Sequence, residues 1–259
     1  MSRTKYCMRL GFLSAKPVYL STERQVCTSG IRWKMVPRNL KGRSKSSQDW
    51  LTRQLNDPYV KLRNYKQYRA RSAFKLCEID ERYKLLHPGQ VVVECGASPG
   101  AWTQVAVEAV NSLPKDEKQN QGLVIGVDLL TIHPLPGATL MGGRDFTLPK
   151  TQQLILDVLQ GRKIDVVLSD MAPNATGSKY LDHDSIITLA YSALRFALQH
   201  SNKGAIFLCK IWDGQKSEQF IKDMRRFYNI VKEVKPPASR SDSTEKFVLG
   251  KNFYGLDER

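Results

Sequence analysis

Three residues in this chain are of types that do chemistry and stand where the chain would expose them. Asp170 follows the apolar run Val166-Val167-Leu168 in IDVVLSDMAPNATG, and Pro173-Asn174 breaks the chain just beyond it. A strand that ends on a carboxylate and then turns away presents that carboxylate instead of covering it. Lys210 closes the run AIFLC, where a lysine is costly unless it is paired or working. Glu245 immediately precedes the run KFVLG. A lysine can take a proton as a general base, or hold a hydroxyl in line for attack. The plainer reading of the three is a structural Lys–Asp–Glu ion network.

A second group could bind a nucleoside. The stretch VVVECGASPGAW, residues 91–102, places Gly96 and Gly100 between a strand and a helix. Glycines there let a ligand approach the backbone at a helix N-terminus. Asp128 ends the next apolar run and has the chemistry to accept both hydroxyls of a ribose. Asp145 follows the third run and could accept from an adenine amino group. Each alone reads equally well as a tight turn or a solvated acid; together they point to an adenosyl ligand. The turn fits the dinucleotide fingerprint GxGxxG poorly, which sets aside a nicotinamide-dependent oxidoreductase.

These residues must be held by regular elements. Short β-branched runs occur at 91–95, 123–127, 164–169, 205–209, 230–234 and 246–250, with a weaker one at 138–141. Helical patterns lie between most of them, at 101–112, 151–160, 184–200 and 216–228, and a further one spans 71–86 before Pro88-Gly89. Strands alternating with helices give βαβ units and a mostly parallel sheet with helices on both faces. KPPASRSDSTE joins the last two strands without room for a crossover helix, so the last strand should run antiparallel. The expected fold is α/β, a Rossmann-like class I methyltransferase sheet of seven strands. Ligands bind such a sheet at the carboxyl ends of its strands, and the reversed last strand brings Glu245 to that same rim.

The 259 residues, 41% hydrophobic and 9% aromatic, suffice for a proper core. No apolar run is long enough for a transmembrane helix. The formal charge of +15 is uneven: residues 1–46 hold eleven Lys/Arg and one acid, Glu23, leaving about +5 for the remainder. An Arg-rich, acid-poor leader of this kind is expected to be a mitochondrial transit peptide, with a disordered RNA-binding arm as the alternative. The folded domain is then expected over 47–259. None of the five cysteines forms a CxxC pair, and no histidine cluster accompanies them, so no metal site is expected. Cys95 and Cys209 lie in apolar runs, as free thiols in a reducing compartment do. Lys61, Arg63, Lys66, Arg69 and Arg71, interleaved with Tyr65 and Tyr68, make a candidate RNA strip of phosphate contacts and stacking.

From about residue 50 onward the chain resembles the FtsJ/RrmJ-type ribose 2′-O-methyltransferases, and among them the mitochondrial branch. The motifs that carry the resemblance are RSAFKLCEI, ECGASPGAW, GVDLL, LSDMAPNATG, FLCKIW and SRSDSTEKFVL. The resemblance implies a Lys–Asp–Lys–Glu tetrad at Lys75, Asp170, Lys210 and Glu245. It also implies S-adenosylmethionine as cofactor, contacted by Ser98, Pro99, Gly100, Ala101, Trp102, Asp128, Asp145 and Asp170. Family members often read GAAPGGW after an Asp, where this chain has Glu94, Ser98 and Ala101; these small changes leave backbone approach possible. The implied reaction transfers a methyl group to a uridine 2′-OH of mitochondrial large-subunit rRNA, within a precursor particle in the matrix. Lys210 is expected to orient and activate the hydroxyl, with Asp170 and Glu245 fixing its ammonium and Lys75 assisting. The competing expectation is an RNA-binding ribosome-assembly factor that keeps this fold with little catalysis.

Overall fold

The computed structural model describes residues 44–114, 120–174 and 176–256, together with Gly42. Most of the basic leader lies outside the described residues. Seven strands form one sheet: β1 (Val91–Cys95), β2 (Leu123–Val127), β3 (Ala138–Met141), β4 (Ile164–Ser169), β5 (Ser201–Trp212), β6 (Tyr228–Val234) and β7 (Glu245–Phe253). Their order is β3-β2-β1-β4-β5-β7-β6, with β7 antiparallel to both of its neighbours and the other pairings parallel. The order reverses direction between β1 and β4, which opens a crevice at their carboxyl ends.

The helices are α1 (Lys45–Asn56), α2 (Pro58–Lys66), α3 (Ala73–Tyr83), α4 (Ala101–Ala109), α5 (Pro149–Leu159), α6 (Lys179–His200) and α7 (Ser217–Met224). Strand alternation divides the core in two. Val93, Cys95, Val167, Phe207 and Cys209 face α5, α6 and α7 through Ile155, Ala190, Phe196 and Phe220. Val92, Val166, Leu168, Leu208, Phe247 and Leu249 face α3 and α4 through Leu76, Ile79, Trp102 and Val105. Because β1 is buried on both faces, it reads as an apolar run broken only by Glu94.

The expected elements all form, with shifted ends. β5 extends in both directions beyond the AIFLC run, so Lys210 sits inside the strand opposite Phe247 instead of closing it. α7 is shorter than its pattern, since the chain must re-enter the sheet as β6 at Tyr228. α1 and α2, over a stretch that reads only as polar and basic, are additional helices. Asp57 caps α2 by accepting from Tyr59 N (3.0 Å), and Pro58 supplies the fixed φ of its first turn.

Candidate active site

The crevice between β1 and β4 is built by backbone. Gly96 N and Ala97 N donate to Val127 O, and Asp170 N donates to Cys95 O, so the three central strand ends are tied together. Gly96 has φ +82°, and a Cβ there would come within 2.7 Å of Met171 N. Gly100, at φ +100°, caps the N-terminus of α4. The turn therefore requires glycine at both positions and leaves a backbone cradle at a helix N-terminus.

Asp128 stands across that cradle. Its Oδ2 accepts from Ser98 N (2.8 Å) and its Oδ1 from Leu130 N (2.7 Å), which fixes the carboxylate while leaving each oxygen a further lone pair. Arg144 N donates to Asp128 O, which brings the loop of Asp145 alongside. The Asp145 carboxylate accepts from Thr147 N and Oγ1 (2.8 and 2.7 Å). Ala101 and Trp102 are buried in the first turn of α4. The Trp102 indole donates to Ser72 O (2.8 Å) and packs on Phe247, 5.6 Å between ring centroids. A fixed ribose-accepting carboxylate, a glycine cradle and a second acid one strand away fit an adenosyl group.

The four tetrad residues come together from α3, β4, β5 and β7. Lys210 Nζ lies 2.8 Å from Asp170 Oδ1 and donates to Asp170 O at 2.6 Å. Lys75 Nζ grips both oxygens of Glu245, at 2.6 and 2.7 Å, and sits 5.9 Å from the Phe247 ring centroid. The pairing is thus Lys210 with Asp170 and Lys75 with Glu245, whereas both acids were expected around Lys210. The register explains it: Glu245 opposes Trp212, two residues beyond Lys210, and α3 brings Lys75 over that edge. Lys75 itself, on a helix where lysine usually faces water, was reached only through the family motif.

Charge is tuned around these pairs. Burial would raise the Glu245 carboxyl, but the Lys75 ammonium, bonds from Lys75 and Ser239, and the charge of Lys210 together hold it below the usual range. Ser239 Oγ donates to Glu245 Oε1 at 2.9 Å. Glu94 is wholly buried at the carboxyl end of β1. Burial, with the charges of Asp170 and Asp128, pushes it up to about 8 against the opposing bond from Thr103 Oγ1 (2.6 Å). It is therefore largely neutral at pH 7 and adds little negative charge beneath the two aspartates. Cys209, beside Lys210, is pushed up to about 12 by burial and is no nucleophile.

A cleft of about 450 Å³ opens beside Lys75 and Glu245, lined also by Arg53, Arg71, Ser72 and Arg240. A second cleft shares Arg53, Arg71 and Arg240 and runs outward along α1 and α2. The basic strip expected over residues 61–71 is divided. Lys61, Tyr65 and Lys66 are exposed on α2. Arg71 is held by Asp57 (2.7 Å) on the cleft wall, and Arg69 and Arg63 bond to backbone carbonyls. The sequence pointed to Glu94 only as a replacement of the family's Asp, and to neither Ser239 nor the Arg71–Asp57 pair. Only Glu94 left a signal, as an acid inside an apolar run.

An open α/β sheet of this order, with a glycine cradle at its switch point and acids at successive strand ends, defines a class I methyltransferase. A family model described as FtsJ-like methyltransferase matches residues 68–253, and the chain belongs to that family. It is 55% identical to mitochondrial rRNA methyltransferase 2 of Drosophila melanogaster over 225 residues, covering 87% of this chain and 90% of the relative. It is 43% identical to ribosomal RNA large subunit methyltransferase E of Gluconobacter oxydans over 216 residues, 83% of this chain and 76% of that one. A solved structure of a ribosomal RNA methyltransferase from Plasmodium falciparum superposes with TM-score 0.63 at 26% identity, covering 73% of this chain and all of that one.

Proposed function

We propose that this methyltransferase uses S-adenosylmethionine to methylate a ribose 2′-OH, that of a uridine in mitochondrial large-subunit rRNA within a precursor particle. The observation that carries the reading is the pair of adjacent ion pairs, Lys210–Asp170 and Lys75–Glu245, at the rim beside the glycine cradle. A purely structural network would not need to stand at the mouth of a cleft next to a nucleoside-type pocket. Names of the relatives support rRNA as substrate and the mitochondrion as location. The composition of residues 1–46 supports their role as a transit peptide leading to the matrix, with the catalytic domain over 47–259.

When bound, the cofactor supplies a methyl group on a sulfonium, an electrophile whose leaving group is a neutral thioether. Ser98, Pro99, Gly100, Ala101 and Trp102 would offer backbone to it, Asp128 would accept from its ribose, and Asp145 and Asp170 would flank it. The residues on the rim then deal with the attacking hydroxyl. An ammonium has three donors; Lys210 gives one to Asp170 O and stands in ion-pair contact with Asp170 Oδ1, which leaves a further donor for a substrate hydroxyl. That donor, or the lone pair of the neutral amine, orients the 2′-oxygen in line with the methyl group. Lys75 contributes positive charge where the alkoxide develops, anchored by Glu245. The hydroxyl proton released on methyl transfer would pass to the rim residues or to water. Much of the acceleration comes from alignment. Calorimetric titration of S-adenosylmethionine into wild type and Asp128→Ala tests the pocket. Binding weakened at least tenfold by the substitution is expected; absence of binding to folded wild type would contradict the reading.

A further inference from the structure

Arg69, a member of the expected RNA strip, is occupied elsewhere. Its Nη1 donates to Pro99 O (3.0 Å) and His133 O (2.7 Å), and its Nη2 to Pro134 O (2.6 Å). Pro99 belongs to the turn after β1, and His133 and Pro134 to the loop after β2, the two segments that carry the cradle and Asp128. The inner ends of the two segments are tied by Ser98 N to Asp128 Oδ2 and by Gly96 N and Ala97 N to Val127 O, but Pro99 and Pro134 further out bring no N–H of their own. Three carbonyl dipoles converging on one point need a donor between them, and a guanidinium supplies several in a rigid fork. Gly100 makes room for it, since a Cβ there would lie 2.6 Å from Arg69 Nη1. The backbone of Arg69 is itself seated, its N–H donating to Gln104 Oε1 (2.7 Å) while Gln104 Nε2 donates to Gln67 O (3.1 Å).

We propose that Arg69 is a positioning residue of the cofactor pocket, a strap that sets the separation between the glycine cradle and the loop of Asp128. The proposal rests on the cofactor reading above. Arg69 touches neither reacting atom; it acts by holding Pro99 and the 133–134 segment at the distance an adenosyl group needs. Because α2 leads directly into it, the strap also joins the helix that lines the second cleft to the cofactor loops.

The test is calorimetric titration of S-adenosylmethionine and S-adenosylhomocysteine into wild type, Arg69→Ala, Arg69→Lys and Gln104→Ala, with thermal unfolding as a check of folding. The salt dependence of binding to a single-stranded RNA is measured alongside. Arg69→Ala is expected to weaken both cofactor forms about tenfold, as losing charge-assisted bonds at a half-exposed site should. Arg69→Lys should not restore affinity, since one ammonium does not span both loops, and Gln104→Ala should give a smaller loss in the same direction. The RNA salt slope should stay as in wild type. Cofactor affinity unchanged in Arg69→Ala, with the slope reduced by about 0.7, makes Arg69 a phosphate contact and overturns the proposal. Should Arg69→Ala fail to fold, wild-type affinity in both Arg69→Lys and Gln104→Ala overturns it equally. No heat with folded wild type removes the cofactor reading and this inference with it.

Discussion

Glu245 is held charged by groups that a single substitution can remove. Ser239 Oγ donates to it and so favours the carboxylate over the acid. In Ser239→Ala that contribution disappears and the carboxyl rises toward its ordinary value. With the Lys75–Glu245 pair needed for turnover, the acid limb of the pH–rate profile should move to higher pH. The profile of kcat under saturating RNA reads this directly. Glu94 has the opposite sign. Its folded value, about 8, lies above the unfolded one, so the native state binds the extra proton. Its stabilising contribution is complete below the unfolded value and is lost as pH rises toward 8. Glu94→Gln removes that dependence. The variant should match wild type near pH 4.5 and exceed it in denaturant midpoint above pH 8.

At the scale of elements, the loop between β6 and β7 decides whether Glu245 reaches the rim correctly. Its anchor is Ala238, whose N–H donates to Glu78 Oε2 (2.7 Å) and whose carbonyl accepts from Arg71 Nη2 (2.5 Å). Glu78 also accepts from the Tyr59 hydroxyl (2.7 Å), which ties α2 to α3. Glu78→Ala orphans both donors and should destabilise the fold by about 1–3 kcal/mol, with turnover falling more than cofactor binding. Thermal unfolding and cofactor titration separate the two effects. None of this was legible in the sequence, because these bonds join residues up to 167 positions apart. α1 and α2 escaped for a different reason: both are polar overall and contain no buried residue, α2 carries no clear apolar stripe, and the stripe of α1 is only Trp50, Leu51 and Leu55. Lys75 was hidden likewise, as a polar residue on a helix whose other face was readable.

At the scale of the molecule, the sheet was the most legible feature. β1, β4 and the middle of β5 are buried on both faces, so their sequences are mostly apolar, broken only by Glu94 in β1 and by Asp165 and Ser169 in β4, and their ends are visible. The direction of β7 followed from the length of one connection. That topology alone carried Asp170, Lys210 and Glu245 to a common rim, and the carboxyl ends of β1 and β2 carried the cradle and Asp128 beside it. What topology left open was which cation meets which acid, since that depends on a two-residue offset between β5 and β7.

The central claim is that this rim transfers a methyl group to a ribose hydroxyl through Lys210. The most direct measurement is incorporation of label from methyl-labelled S-adenosylmethionine into large-subunit rRNA, with nuclease digestion to locate the methyl group. Wild type and Lys210→Ala are compared at matched cofactor occupancy. The prediction is label in a 2′-O-methyluridine with wild type, and a rate lower by about a hundredfold or more in Lys210→Ala, which still binds cofactor. Equal rates in the two proteins, or label on a base instead of a ribose, would contradict it.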